Sequence, residues 1–205
     1  MTSRTATLAD VAIPAFGGAR ATQWLRAAIL VVAGAGLTAL SAQLSWQAPW
    51  TSVPYTGQTA AVLLVGTALG SRLGLASMAF YVLAGAAGMG VFNTGSSGLF
   101  DATGKLSATV GYLVGFIVAA GLVGRLAERR WDRSPVQAAG LMVLGNLVIY
   151  AIGVPVLAVV LGLSAWDAVF HGAIVFVPWD AFKVAVAAGL LPLAWRAVGS
   201  DEARR

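Results

Sequence analysis

The chain has 205 residues, of which 59% are hydrophobic and only 10% charged, with a net charge of +5, one histidine and no cysteine. Its charged fraction is far below the roughly 25% of a water-soluble domain, which excludes a soluble globular enzyme. The missing cysteines exclude thiol catalysis, thiolate zinc sites and disulfides, a single histidine excludes a multi-histidine metal centre, and no cofactor is expected.

No Asp, Glu, Lys or Arg occurs between Ala27 and Ser71, or between Leu73 and Phe100. These stretches exceed the roughly 20 residues that cross a bilayer as a helix. They are apolar on every side, unlike the alternating strands of a membrane barrel. The expectation is an all-α membrane protein with six transmembrane helices, residues 24–198, between cytoplasmic tails at 1–23 and 199–205. The first 23 residues are polar and mixed and read as a tail, not as a signal peptide.

The first span is expected at about Leu25–Leu44. Its Gly34-Ala35-Gly36-Leu37-Thr38-Ala39 run superficially matches a dinucleotide fingerprint, but no acid follows until Asp101, where that fold needs one about 20 residues on. These small residues, Ala35 and Ala39 among them, read instead as a packing face. Residues 45–59 are uncharged and carry Trp46, Trp50 and Tyr55, either as an interfacial aromatic belt or as part of a site. Thr56, Gln58 and Thr59 add neutral donors and acceptors where the next helix begins, suited to a polar, uncharged ligand.

Residues 60–91 would make about 48 Å of helix, too much for one crossing of a core of about 30 Å. Ser71-Arg72 divides them into a short second span and a third ending near Gly90. The following glycine-rich loop, with Asn93 and Gly95 to Gly98, is either a plain connection or a close backbone approach to a ligand. The fourth span is expected at about Leu106–Leu126, the fifth at Val136–Leu161. Ser164–Val177 reads as an interfacial helix or re-entrant piece, and Pro178–Val198 as the sixth span.

With both termini inside, Arg4, Arg20, Arg26, Arg72, Arg125, Arg129, Arg130, Arg133, Arg196, Arg204 and Arg205 fall on the cytoplasmic side, eleven of the thirteen basic residues. That is a strong positive-inside bias, so the basic charge reports topology and a nucleic-acid partner is not expected. The same topology gathers loop 45–59, loop 91–105 and the head of the sixth helix around one extracellular pocket. Asp180 and Lys183 stand there three residues apart, on one helix face. Ionisable groups in a membrane helix pair with each other or line a pathway or site, and both readings stay open for this pair.

Two catalytic patterns fail. Gly98 to Lys105 lacks the Gly-Lys-Ser/Thr ending of a phosphate loop. Gly95-Ser96-Ser97-Gly98 with His171 is similar to the serine and histidine of rhomboid intramembrane proteases. Residues 60–90, however, contain no histidine or asparagine to complete that site, and Asp180 and Lys183 would have no role in it. No enzyme activity is expected.

Several ordered motifs point elsewhere: Val53-Pro54-Tyr55-Thr56-Gly57-Gln58-Thr59, Leu69-Gly70-Ser71-Arg72-Leu73-Gly74, Gly111-Tyr112-Leu113-Val114-Gly115-Phe116, Leu126-Ala127-Glu128-Arg129 and Pro178-Trp179-Asp180-Ala181-Phe182-Lys183. Together they resemble the BioY family, the biotin-specific substrate-binding components of energy-coupling-factor transporters. The resemblance implies a six-helix plasma-membrane protein of a prokaryote that captures biotin with high affinity from outside. It implies a ureido head held by Asn93, Asp180 and Lys183, in a pocket shared with Thr56, Gln58 and Tyr112. It further implies a separate transmembrane coupling protein and two ATPase subunits as partners, docked on the small first-helix face at Ala35 and Ala39. The chain departs from the family pattern at Gly90, in the Asn93–Gly98 turn, and in Ala108-Thr109-Val110 before Gly111-Tyr112. The alternative readings are a rhomboid-like intramembrane serine protease and a transporter of another small molecule on the same six-helix architecture.

Overall fold

In the computed structural model, residues 6–13, 20–100 and 104–202 are described, the last four as backbone only; Arg4, Asp101, Arg204 and Arg205 lie outside the described residues. The helices are α1 (Leu8–Ala12), α2 (Arg20–Gln43), α3 (Gln58–Ala86), α4 (Val110–Ala127), α5 (Pro135–Leu161), α6 (Ala165–Gly172) and α7 (Val177–Glu202). A two-residue hairpin, β1 (Ser45–Trp46) with β2 (Tyr55–Thr56), supplies the strands among the described residues. Five helical stretches are long and apolar enough to cross a membrane: α2, α3, α4, α5 and Ala165–Val198. Large apolar side chains stand exposed along them, including Ile29, Leu37 and Leu40 on α2 and Leu147 and Val159 on α5. In water such a surface would aggregate; it is the natural surface for lipid.

Five long helices become six crossings because α3 is broken. Gly70 has φ 79° and ψ 177°, a conformation open in practice only to glycine. A Cβ on Gly74 would lie 2.7 Å from the Gly66 Cα, although eight residues of straight helix would separate the two by about 12 Å. The arms 58–69 and 71–86 therefore fold back on each other. The turn rests on α4, where a Cβ on Gly124 would lie 2.4 Å from the Gly70 carbonyl carbon.

The second arm needs a cap, since the first N–H groups of a helix have no partner within it. Glu128 provides one from the end of α4: its Oε1 accepts from Ser71 N at 2.9 Å and from Ser71 Oγ at 2.8 Å. Arg125 Nη1 lies 3.1 Å from the other Glu128 oxygen. The expected division at Ser71-Arg72 is thus one residue from the actual break.

Other helix limits follow local chemistry. α4 starts at Val110, later than expected, because Phe100 and Leu106 form an antiparallel bridge and Ser107 N donates to the Leu99 carbonyl at 2.8 Å. α5 starts behind Ser134, whose side chain accepts from Gln137 N, with Pro135 in the first turn, where its absent N–H costs nothing. It ends at Gly162 in the left-handed conformation, φ 64°. Ser164 caps α6, the short helix expected from the amphipathic stretch.

α4 is the central helix, packed between α3 and α5. Glycine permits the close approach: a Cβ on Gly115 would sit 3.0 Å from the Ile149 Cα, the small-residue packing of membrane bundles.

At the end of the bundle where α4 finishes, the N-terminal stretch expected as a tail contributes α1, whose Leu8 and Ala9 are buried. Arg26 ties it down, donating to the Ala9 and Ile13 carbonyls at 2.7 Å each. Nearby, Asp132 is fully buried, accepting from Trp195 Nε1 at 2.6 Å, while the Arg133 guanidinium lies 3.1 Å from the Trp195 ring centre. Burial raises the Asp132 carboxyl above its ordinary 3.8, against the opposing effects of Trp195 and Arg133.

Candidate functional site

The first arm of α3 is short. Twelve residues from 58 to 69 make about 18 Å of helix, against about 22 Å for α4 from its start to Gly124, where the turn rests, so its head, Gln58 and Thr59, falls short of the start of α4. A partly open cleft lies above it, with about 600 Å³ of empty space counting the solvent at its mouth. Thr56, Gln58, Asn93, Tyr112, Asp180 and Lys183, six residues singled out in the sequence, all line it.

Asp180 lies in the first turn of α7, where the helix dipole favours an anion. It is 6% exposed, and its Oδ1 stands 2.7 Å from Lys183 Nζ. That contact is an ion pair, and a carboxylate oxygen keeps a further acceptor site beside it. Lys183 Nζ donates to Thr59 Oγ1 and, at 3.5 Å, to the Thr56 carbonyl. The lysine thereby reaches from α7 to the head of α3. Asp180 Oδ2 accepts from the hydroxyl of Tyr150 on α5, so one carboxylate joins two helices across the cavity.

The remaining expected residues have more specific places than the sequence showed. Gln58 Nε2 donates to the Tyr81 hydroxyl at 2.6 Å, and that hydroxyl donates to the Val91 carbonyl at 3.1 Å. Gln58 therefore braces the loop after α3 as well as lining the cavity. The Tyr112 hydroxyl donates to the Gly172 carbonyl at 2.8 Å, so Tyr112 offers the cavity its ring while its hydroxyl anchors α6. Asn93 begins a 3₁₀ turn to Gly95, with Thr94 at φ 53°. Phe92, just before it, is held by Gln43 Nε2 on its carbonyl at 3.0 Å and by an edge contact of its ring with Tyr81.

Loop 45–57 covers the site, with Val53, Pro54 and Thr56 facing the cavity. It is pinned along its length. Tyr55 donates to the Val175 carbonyl at 2.8 Å, and Thr51 Oγ1 to the His171 carbonyl at 2.7 Å. Trp46, Trp50, Tyr55 and Phe176 form one contiguous ring cluster. The aromatic stretch is thus a cover bound to the bundle.

Sequence reasoning missed Tyr150 and the apolar wall of Phe92, Leu113, Phe116 and Phe176. Tyr150 stands in an apolar span where Asn146, one turn earlier, is the nearest polar side chain, and only the fold brings α5 against α7.

Two other expectations look different in the structure. Ala35 is buried in the core and Ala39 partly buried, because α2 packs this side on α3: a Cβ on the adjacent Gly34 would meet Ser77 and Val65. The exposed side of α2 instead carries Ala33, Gly36, Leu37 and Leu40. His171 Nδ1 lies 2.6 Å from the Trp50 carbonyl, and among the described residues no hydrogen bond joins it to Ser97. The serine–histidine pair of a protease is not assembled.

The sequence model of the BioY family matches residues 6–200. The chain belongs to the BioY family. Its relatives include the biotin transporter BioY of Rhizobium etli, 36% identical over 143 residues, covering 66% of this chain and 74% of that protein. The biotin transporter BioY of Thermotoga maritima is 38% identical over 155 residues, covering 74% of this chain and 86% of that protein. Among solved structures, the S-component for biotin from an ECF-type ABC transporter superposes with a TM-score of 0.75 at 16% identity, covering 88% of this chain and 95% of that one. The broken α3 and the cavity above it therefore stand in a fold shared with an S-component. A further relative, the probable biotin transporter BioY of Methanothermobacter thermautotrophicus, is 36% identical over 137 residues, covering 61% of this chain and 83% of that protein, and the chain is a multi-pass membrane protein of the prokaryotic type.

Proposed function

We propose that this chain captures biotin from outside the cell, as the substrate-binding subunit of an energy-coupling-factor uptake transporter in a prokaryotic plasma membrane. The observation that carries the reading is the buried Asp180–Lys183 pair on the polar side of a cavity whose other side is apolar. One edge of a cyclic ureide presents an N–H beside a carbonyl oxygen. A carboxylate oxygen with an ammonium 2.7 Å away presents the complementary acceptor and donor. The pair is neutral as a whole, so it suits a polar head without net charge. Asn93 adds an amide, Thr56 and Gln58 complete the polar side, and the wall of Phe92, Leu113, Phe116 and Phe176 takes the fused sulfur ring.

Orientation follows from the basic residues. Arg125, Arg129, Arg130 and Arg133 gather at the end opposite the cavity, which supports a cytoplasmic location for that end and a cavity that opens outward. Energy comes from a membrane coupling protein and two ATPases. The coupling protein meets α2 on its lipid-facing side, where Ala33, Gly36, Leu37 and Leu40 are exposed.

The test is binding of labelled biotin to purified Asp180→Asn and Lys183→Met beside the wild type. Each substitution removes a charge-assisted contact and should weaken binding by more than about tenfold. Wild-type affinity in both would remove the pair from the site.

A further inference from the structure

Tyr150 is the polar residue that the ion pair's obvious role leaves unexplained. Its hydroxyl has a single proton and gives it to Asp180 Oδ2. The ring is held by an edge contact with Tyr112 at 6.4 Å and 85°, and Tyr112 is itself fixed through its hydroxyl on the Gly172 carbonyl. Asp180 is thus gripped from two sides, by Tyr150 of α5 through Oδ2 and by Lys183 through Oδ1.

Without that grip the carboxylate would turn both oxygens toward the ammonium on the same helix face, one turn away. Such a fork satisfies the two charges with each other and withdraws the acceptor from the cavity. With Oδ2 drawn to α5, the carboxylate lies between the tyrosine and the lysine, and Oδ1 stands 2.7 Å from the lysine nitrogen with a further lone pair beside that contact. A carboxylate oxygen has more than one acceptor site, so a ligand N–H can join the lysine on Oδ1.

We propose that Tyr150 is a positioning residue for the ligand head: it holds Asp180 open so that Oδ1 receives a ureide N–H. The inference rests on the biotin reading of the cavity and concerns the ureide end alone, because Tyr150 acts through Asp180.

The experiment measures the affinities of biotin and desthiobiotin for wild type, Tyr150→Phe, Asp180→Asn and the double variant. Desthiobiotin keeps the ureide and lacks the sulfur ring. Tyr150→Phe keeps the aromatic ring and removes one oxygen, so a packing role predicts no change. The expected result is a loss of about 10- to 100-fold, the range of one charge-assisted hydrogen bond, equal for the two ligands. The double variant should bind within about threefold of Asp180→Asn, because coupled residues are not additive. Affinity within about twofold of wild type in Tyr150→Phe, a loss confined to biotin, or additive losses would each overturn the assignment. If wild type binds and Asp180→Asn does not, an unaffected Tyr150→Phe sinks only this inference; a wild type that ignores both ligands sinks the biotin reading with it. Should Tyr150→Phe prove too unstable to purify, Tyr150→His, which restores an N–H donor, should bind at least about tenfold more tightly than Tyr150→Leu. Equal affinities of those two variants would contradict the proposal.

Discussion

At the scale of single residues, the Asp180–Lys183 pair makes opposite demands on stability and on binding. Its side chains are 9% and 11% exposed, so removing one partner strands a charge in a medium that solvates it poorly. Such losses run at about 3–5 kcal/mol, while replacing both members with uncharged residues is often close to neutral. Asp180→Asn and Lys183→Met should each lower the thermal midpoint in detergent. The double variant should recover most of that loss while still failing to bind biotin. A double variant less stable than either single one would show that the pair is held for structure. Asp132 supplies a second test at this scale. Its carboxyl is raised by burial above 3.8, so the folded state holds a proton that the unfolded state has released in the window just above that value. This group therefore destabilises the fold as pH rises through the window. Relative to Asp132→Asn, the wild type should gain stability as pH falls toward 4; a difference independent of pH would contradict the burial argument.

At the scale of elements, the sequence showed the division of α3 but not its cause. Arg72 marked the place, because a charge cannot sit in the middle of a long apolar run without reaching the surface. The turn itself needs φ 79° at Gly70, a close approach by Gly124, and a cap from Glu128, 57 residues away. None of these has a local signature, since glycines occur throughout this chain and Glu128 belongs to another helix. Gly70→Ala forces a Cβ into that conformation at about 1–3 kcal/mol. Because the turn sets the depth of Gln58 and Thr59, it should lower thermal stability and biotin affinity together. Unchanged affinity would separate the turn from the site. The limits of α5 were legible to within a residue, because Ser134-Pro135 and Gly162 are explicit start and stop signals. The start of α4 was not, because the bridge between Phe100 and Leu106 joins two residues with no pattern between them. Tyr150 was invisible for a related reason: its partner lies 30 residues on, across a helix pairing that periodicity does not specify.

At the scale of the whole molecule, membrane character and the number of crossings were written in composition and in the placement of arginine. The cavity required the fold. It exists because the first arm of α3 is shorter than α4 and because loop 45–57 is bound across the gap by Tyr55 and Thr51. Orientation is tested by single cysteines at Ser52 and Arg129, both exposed and at opposite ends of the bundle. In intact cells a membrane-impermeant thiol reagent should label the first and not the second. Labelling of both from one side would break the six-crossing arrangement. Docking is tested by Gly36→Leu, since a Cβ there meets nothing within 4 Å. The fold and biotin binding should persist while energised uptake by the assembled transporter falls. Unimpaired uptake would move the coupling surface away from this side of α2.

The central claim is that the cavity enclosed by α3, α4, α5 and α7 is a biotin site, and calorimetric titration of the purified chain with biotin tests it most directly. The account predicts saturable binding at one site per chain, tighter than micromolar, without ATP or any other subunit present. The absence of binding at micromolar biotin would contradict it.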